Sequence, residues 1–310
     1  MPSAITNGAR IRTNTAAENA YNALDTANRS IALRQLRLST GKRINSAADD
    51  VAGYITVRSL GERNSSLKAA LNAVGDATNV TNIAQDGLDN ITNLIMQIKE
   101  AVASAASGAM GTDEKVALAK AAYRFAQQIQ TIVDATVFAG RQLLDGTFTA
   151  SFVIGSRADN TLLTLGIDLS TSNPELNIPS NNFDLRLVSL NFAGVTGLSL
   201  ASLNDVSASD LGIFDFSVIQ TTLTSISIAL TNVSKVASYL GGIANRLTSQ
   251  EDALKSQITN YNAAISRIED ADVAKEQLEL IRSQFLQQAS IISLAQANQT
   301  PQTFLQLLRG

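Results

Sequence analysis

Two chemically versatile side chains are missing from this chain of 310 residues, which contains neither cysteine nor histidine. Their absence removes thiol nucleophiles, Ser/His/Asp triads, imidazole-ligated zinc and disulfide frameworks together. No metal or cofactor site is expected, and the chain does not read as an enzyme. Tryptophan is also absent, and aromatic residues make up 5% of a sequence that is 45% apolar. Small residues, chiefly alanine, supply much of that apolar share and suit close helix packing better than a bulky globular centre. Proline occurs only as Pro2, Pro174, Pro179 and Pro301, so residues 3–173 contain none of the rings that break helices. The opening residues lack a basic start followed by an apolar run, and no run of eighteen apolar residues is present to cross a membrane. Taken alone, these absences point to the cytoplasm.

Charge is low and uneven. The net charge is −3, with nine Lys/Arg against five Asp/Glu in residues 1–63, eight against fifteen in 64–222, and seven of each in 223–310. The basic residues of the first segment are scattered along a helix among few aromatics, a pattern that argues against nucleic acid as a partner.

What the sequence does contain is heptad periodicity. Residues 223–268 are predicted as one unbroken helix. Alternating steps of three and four pass through Leu223, Ile226, Leu230, Val233, Ala237, Leu240, Ala244, Leu247, Leu254, Ile258, Tyr261, Ile265 and Ile268, broken only by Glu251. Such a helix is roughly 69 Å long, more than a small domain is wide, so an elongated bundle is expected. A second series repeats through Leu67, Val74, Thr81, Leu88, Ile95 and Val102, with Ala70, Ala77, Ala84, Ile91, Ile98 and Ala105 in the other seam position. It stops at the Gly-containing turn of residues 107–112. A third helix then starts around Asp113 and Glu114 and runs to about Val137 through Leu118, Ala122, Phe125, Ile129 and Ile132. An opening helix, after residues 1–13 without a period, holds Leu24, Ala27, Ile31 and Leu38, is interrupted by Arg34, and ends near Gly41.

The connector Leu38-Ser-Thr-Gly-Lys-Arg-Ile-Asn-Ser-Ala-Ala-Asp-Asp reads as a helix stop and a new start, with Ser46 as cap and Asp49 completing a capping box. It fails as a phosphate loop because Arg43 follows Gly41-Lys42 where Ser or Thr is needed. After Gly140, runs at 147–155 and 160–169 separated by 156–159 read as a β-hairpin. Residues 170–217, rich in Asn, Ser and Gly, read as a small β-rich or irregular insertion. Acidic residues within 266–272 suit a fresh helix start. The last amphipathic helix passes through Leu278, Ile281, Phe285, Ile292 and Ala295 until Pro301 interrupts it ahead of Phe304, Leu305 and Leu308. The fold class is thus mainly α, a long antiparallel coiled-coil-like bundle with a β-hairpin and a small central insertion.

A lone terminal helix buries too little apolar surface to offset its ordering entropy. The two ends are therefore expected to meet and to have their open flanks covered by neighbouring copies. Candidate subunit contacts are Leu24, Ile31 and Leu38 at one end and Phe285, Leu286, Ile292 and Leu294 at the other. Gln288, Gln296, Asn298 and Gln299 are read as contacts in preference to a solvated face, and Phe304, Leu305 and Leu308 complete the set.

Residues 38–53, the stretch Ser266-Arg-Ile-Glu-Asp-Ala-Asp, Leu286-Gln-Gln-Ala, Leu294-Ala-Gln-Ala-Asn-Gln-Thr-Pro-Gln and Leu305-Gln-Leu-Leu-Arg together resemble the N- and C-terminal signatures of bacterial flagellin. Phe152-Val-Ile-Gly-Ser is similar to the start of that family's hairpin. The resemblance covers roughly residues 14–165 and 210–310. It implies a secreted, self-assembling filament subunit of the flagellum, the propeller for swimming motility, exported without a cleaved signal peptide through the flagellar type III apparatus. It further implies an inner-tube domain of residues 1–45 with 270–310, a bundle domain of 46–175 with 215–269, and a short variable insertion at 176–214. Arg43, Ile44, Asn45, Asp49 and Asp50, with Arg267, Glu269 and Asp270, would form the joint between those layers and add to the subunit contacts. The implied partners are other copies in a helical filament, an export chaperone on the C-terminal helix, a filament cap and hook-associated proteins. The filament would lie outside the cell, with the periplasm left open. Of the family segment sensed by the host toll-like receptor, only Glu100 is retained in Met96-Gln-Ile-Lys-Glu, which implies weak recognition. The alternatives are a hook–filament junction protein of the same superfamily and a coiled-coil scaffold or adaptor.

Overall fold

The strict repeat of residues 67–105 becomes the longest element of a computed structural model that describes residues 13–156, 161–170, 173–176, 178, 191–192, 195–196 and 200–309, the last nine by their backbone alone. Helix α2 (Val51–Ala105) buries all twelve predicted seam residues, none more than 6% exposed. Leu, Ile and Val fill one seam position over much of its length while Ala fills much of the other, the pairing of bulky and small residues that suits a packed helical seam. Alongside it in the chain are α1 (Thr15–Thr40), α3 (Thr112–Ala135), α4 (Ile219–Glu269) and α5 (Val273–Arg309), giving a mainly α fold. Residues 1–12, read as lacking a period, lie outside the described residues.

Two compact units emerge, residues 65–258 and residues 1–64 with 259–310, so the divisions fall inside α2 and α4. In the first unit, α2 and α3 are joined by a short turn, and Glu114 accepts a hydrogen bond from the Gly111 N–H at the start of α3 (3.0 Å). Helix α3 ends at Ala135, two residues before the expected limit, because Thr136 caps it and a two-residue hairpin follows. That hairpin pairs β1 (Val137–Phe138) with β2 (Arg141–Gln142) around Ala139 and Gly140, whose φ values of 49° and 78° make a tight left-handed turn. The α3 core line is Ala119, Ala122, Ala126, Ile129 and Val133, with Leu118, Phe125 and Ile132 only half-buried beside it. Hydropathy favours the larger neighbours, but the line that faces the core is the one rich in alanine.

A similar correction applies to α4. Ile226, Val233, Leu240, Leu247 and Leu254 are buried as expected, yet their companions are Thr222, Ala229, Val236 and Ile243 rather than Leu223, Leu230, Ala237 and Ala244. One seam line therefore sits one residue earlier than the strongest apolar pattern suggests. The hairpin of β3 (Thr149–Ser156) and β4 (Leu162–Asp168) is antiparallel with a bulge between Val153 and Gly155. Gln250 of α4 donates to the Ile154 carbonyl (2.8 Å), and Leu165, Ile167 and Leu169 are buried. Its turn, at 157–160, lies outside the described residues. So does much of the insertion, whose described parts are 3₁₀ turns at Pro174–Leu176, Ala201–Asp205 and Gly212–Phe214 and a two-residue strand pair, β5 (Asn191–Phe192) with β6 (Val195–Thr196).

In the other unit, α1 ends at Gly41, whose φ of 71° is the left-handed conformation glycine adopts without strain. Only half of the expected Ser46 capping box forms, since the Asp49 N–H donates to the Ser46 carbonyl and not to its hydroxyl. Asp49 turns back to accept from the N–H groups of Asn45 (3.0 Å) and Ser46 (2.9 Å), and Asp50 caps α2 through the Gly53 N–H (2.9 Å). Residues 46–49 make a turn of their own, which delays the helix to Val51. Asp272 caps α5 through the Lys275 N–H (3.1 Å).

Pro301 does not interrupt α5, whose backbone stays helical to Arg309. Proline lacks the N–H that would bond to the Ala297 carbonyl four residues earlier. That carbonyl instead accepts from Asn14 Nδ2 (2.8 Å) and Thr300 Oγ1 (2.9 Å), so it is not left bare.

Candidate assembly surface

Helices α1 and α5 pack closely because the residues between them are small. On α1 the buried line is Ala20 and Ala27 followed by the partly covered Arg34, one every seven residues. On α5 it is Glu276, Ser283, Ser290 and Ala297, again one every seven. Asn14 caps α1 by accepting from the Ala17 N–H (3.1 Å) while its amide donates across to α5. Farther along, Gln287 donates to Asn28 (2.7 Å).

One buried charge marks this seam. Glu276 lies 2.7 Å from Arg34 and 3.3 Å from Arg37, its side chain 8% exposed. Burial pushes its carboxyl up, but the hydrogen bond and charge of Arg34, then those of Arg37, more than reverse this and hold it below the ordinary value. Both arginines keep a buried Nε without a hydrogen-bond partner, and two guanidinium groups face the single Glu276 carboxylate.

The largest apolar side chains of α5 are elsewhere. Leu278, Phe285 and Ile292 are 70, 69 and 70% exposed, and Ile281 is exposed too. At ~100° per residue they lie roughly opposite the Ser283–Ser290 line. The expected seam through Leu278, Ile281, Phe285, Ile292 and Ala295 is thus corrected by half a turn. That stripe faces away from the chain that carries it. Leu286, Gln288, Gln296, Asn298 and Gln299 are exposed as well, while Leu294 is half-buried. Leu24, Ile31 and Leu38 flank the α1 seam half-buried. Phe304, Leu305 and Leu308 lie on the helical end of α5, with side chains outside the described residues.

The connectors beside the pair form a dense polar knot. Ala271 N–H donates to the Gly41 carbonyl (2.9 Å) and Arg43 N–H to the Glu269 carbonyl (2.6 Å). Lys42 pairs with Glu269 (2.7 Å), and Arg43 reaches the Ile268 carbonyl (2.7 Å) and Asp50 (3.6 Å). Asp270 accepts from Ser266 (2.5 Å), and Arg267 is exposed. The backbone N–H groups of Ser46, then Asn45, hold the Asp49 carboxyl below its usual range. Ile44 is 3% exposed, and a side chain at Gly53 would meet Ile44 Cδ1 and Asp50 Oδ2 at 2.6 Å. Farther along, Asn64 of α2 donates to Asn262 of α4.

Sequence reasoning overlooked Asn14, Glu276, Ser283 and Ser290. For Glu276, Ser283 and Ser290 the signal was a seven-residue repeat of small and polar residues, which hydropathy scoring passes over, and for Asn14 it was its place as a cap ahead of α1. This site offers no paired catalytic groups, and among the described residues no cluster of three or more carboxylates could hold a metal ion. Nor is any described helix long and apolar enough to cross a membrane.

Comparison with known proteins places these observations in a family. Residues 11–149 match the bacterial flagellin N-terminal helical region, and residues 223–308 match the bacterial flagellin C-terminal helical region. Flagellin of Bacillus subtilis (strain 168) is 31% identical, over 97% of this chain and 100% of its own length. A flagellin of Halalkalibacterium halodurans is 29% identical over 88% of this chain and 90% of its own. In fold, the chain resembles a protein of Vibrio parahaemolyticus described as flagellar hook-associated, with a TM-score of 0.54 at 13% identity, covering 72% of this chain and 100% of that one.

Proposed function

Since this chain belongs to the bacterial flagellin family, and so is a subunit of the flagellar filament, we propose that it polymerises through the paired helices α1 and α5. Its role in swimming motility follows from the family. The observation that carries the assembly reading is the apolar stripe of Leu278, Phe285 and Ile292, which α5 turns away from its own partner helix. Exposed stripes of this kind are costly in water unless another surface covers them. In this reading Phe285, Leu286, Ile292 and Leu294, with Gln288, Gln296, Asn298 and Gln299, meet neighbouring copies. Leu24, Ile31 and Leu38 support them from α1, and Phe304, Leu305 and Leu308 extend the contact.

Residues 1–45 with 270–310 act as the inner-tube domain, 46–175 with 215–269 as the bundle, and 176–214 as the variable insertion. The knot of Arg43, Asn45, Asp49, Asp50, Arg267, Glu269 and Asp270, seated on Ile44, transmits orientation between those layers. Before assembly the exposed α5 stripe would be held by an export chaperone. Delivery would be through the flagellar type III apparatus, and the cap and hook-associated proteins would bound the filament. No catalytic role is assigned, and the retained Glu100 alone supports only weak host-receptor recognition.

Seeded polymerisation tests the assembly reading. Phe285→Asp and Ile292→Asp, both at exposed positions, should abolish filament growth by light scattering and electron microscopy while leaving the helicity of the unassembled chain unchanged. Normal growth of both variants would overturn it.

A further inference from the structure

Helices α2 and α4 each carry a buried line that repeats every seven residues. On α2 it is Leu67, Val74, Thr81, Leu88, Ile95 and Val102, and on α4 it is Ile226, Val233, Leu240, Leu247 and Leu254. The two helices are neighbours in the bundle unit, where a Cβ at Gly241 would lie 4.0 Å from Gln85 Nε2. Regular lines of this kind fix which faces meet, but they leave register open. Sliding one helix past the other by seven residues, ~10.5 Å, sets like against like and loses only an end layer.

One polar layer in the terminal unit breaks that sameness. Arg63 Nη1 donates to Tyr261 Oη (3.2 Å), and beside it Asn64 Nδ2 donates to Asn262 Oδ1. Asn64 is 6% exposed, and its own Oδ1 has no hydrogen-bond partner. An amide so placed costs stability that an aliphatic side chain of similar size would not. The layer has no equivalent one heptad away on α4. Seven residues either side of Asn262 stand Lys255 and Glu269, and seven either side of Tyr261 stand Leu254 and Ile268. A slip in either direction therefore sets Asn64 against an ion and replaces the hydroxyl that Arg63 bonds with an aliphatic chain. We infer that the Asn64–Asn262 pair, supported by Arg63–Tyr261, is a register pin that selects one alignment of α2 against α4 at a cost in stability. This goes beyond the assembly reading, because it concerns a single copy before it meets another.

The lack of cysteine provides a clean test. Nitroxide labels are attached to the full chain at two exposed positions, Lys68→Cys on α2 and Ser256→Cys on α4, and the unassembled protein is measured by pulsed electron resonance. The pinned sequence should give one distance. Asn64→Leu with Asn262→Leu should add a second component, from a slip of ~10.5 Å along the helices, with helicity unchanged and a thermal midpoint no lower than before. Asn262→Leu with Lys255→Asn keeps Asn64 and moves its partner by one heptad, so the second component should grow at the expense of the first. A single unshifted distance in both variants, with helicity retained, would overturn the pin and leave register to the connector contacts of Arg43 and Asp50. A lower midpoint without a second component would mark the pair as ordinary packing and overturn the pin as well.

Discussion

Single side chains matter most where the chain has no slack. At Gly53 an added methyl group would lie 2.6 Å from both Ile44 and Asp50, so Gly53→Ala should destabilise the terminal unit by about 1–3 kcal/mol. A lower denaturation midpoint and faster proteolysis near residue 45 would register this. Leu254, 1% exposed, is a different case. Leu254→Asp places a carboxylate where nothing pairs with it and should cost about 3–5 kcal/mol, read from urea unfolding. Asn14 acts through two hydrogen bonds at once, one capping α1 and one meeting the carbonyl that Pro301 leaves open. Asn14→Ala should cost about 1–2 kcal/mol. Restoring the backbone N–H with Pro301→Ala should reduce that cost, so a double-mutant cycle on thermal unfolding should give a nonzero coupling.

Among elements, the α1–α5 pair and the connector beside it should be loosened by acid. Asp49 and Glu276 are held below their ordinary values of 3.8 and 4.5, so the unfolded chain binds protons more readily than the folded one. Their contribution is complete above about pH 4.5 and is lost as the pH falls through their folded values. The melting midpoint should drop over that range, and the drop should shrink when Asp49→Asn and Glu276→Gln are combined. Most of the helices could be read from the sequence, since heptads report burial wherever apolar size and seam position agree. They agree along all of α2. They disagree on α4, where Thr222 and Ala229 take places that Leu223 and Leu230 seemed to claim, and on α3, where alanines displace Phe125. On α5 the disagreement is complete, because its greasiest stripe lies opposite the buried Ser283–Ser290 line. Hydropathy cannot tell an internal seam from a surface held open. The passage of α5 through Pro301 draws on Asn14, 283 residues from the carbonyl it meets, so local pattern did not reveal it, whereas the Asp50 cap of α2 is a local bond to Gly53 that Ser46 masked as the rival candidate.

At the level of the whole molecule, polymerisation should depend on the extreme end of α5 as well as on its exposed stripe. Removing residues 304–310 should stop filament growth from seeds, and growth at the normal rate would argue against a role for those residues in assembly. Meanwhile the α1–α5 seam touches mainly through methyl and hydroxymethyl groups. Such groups bury little area each, so at ~25 cal/mol per Å² the two rods adhere only lightly. A light clasp can be unzipped and drawn straight with little work, then close again wherever it is released.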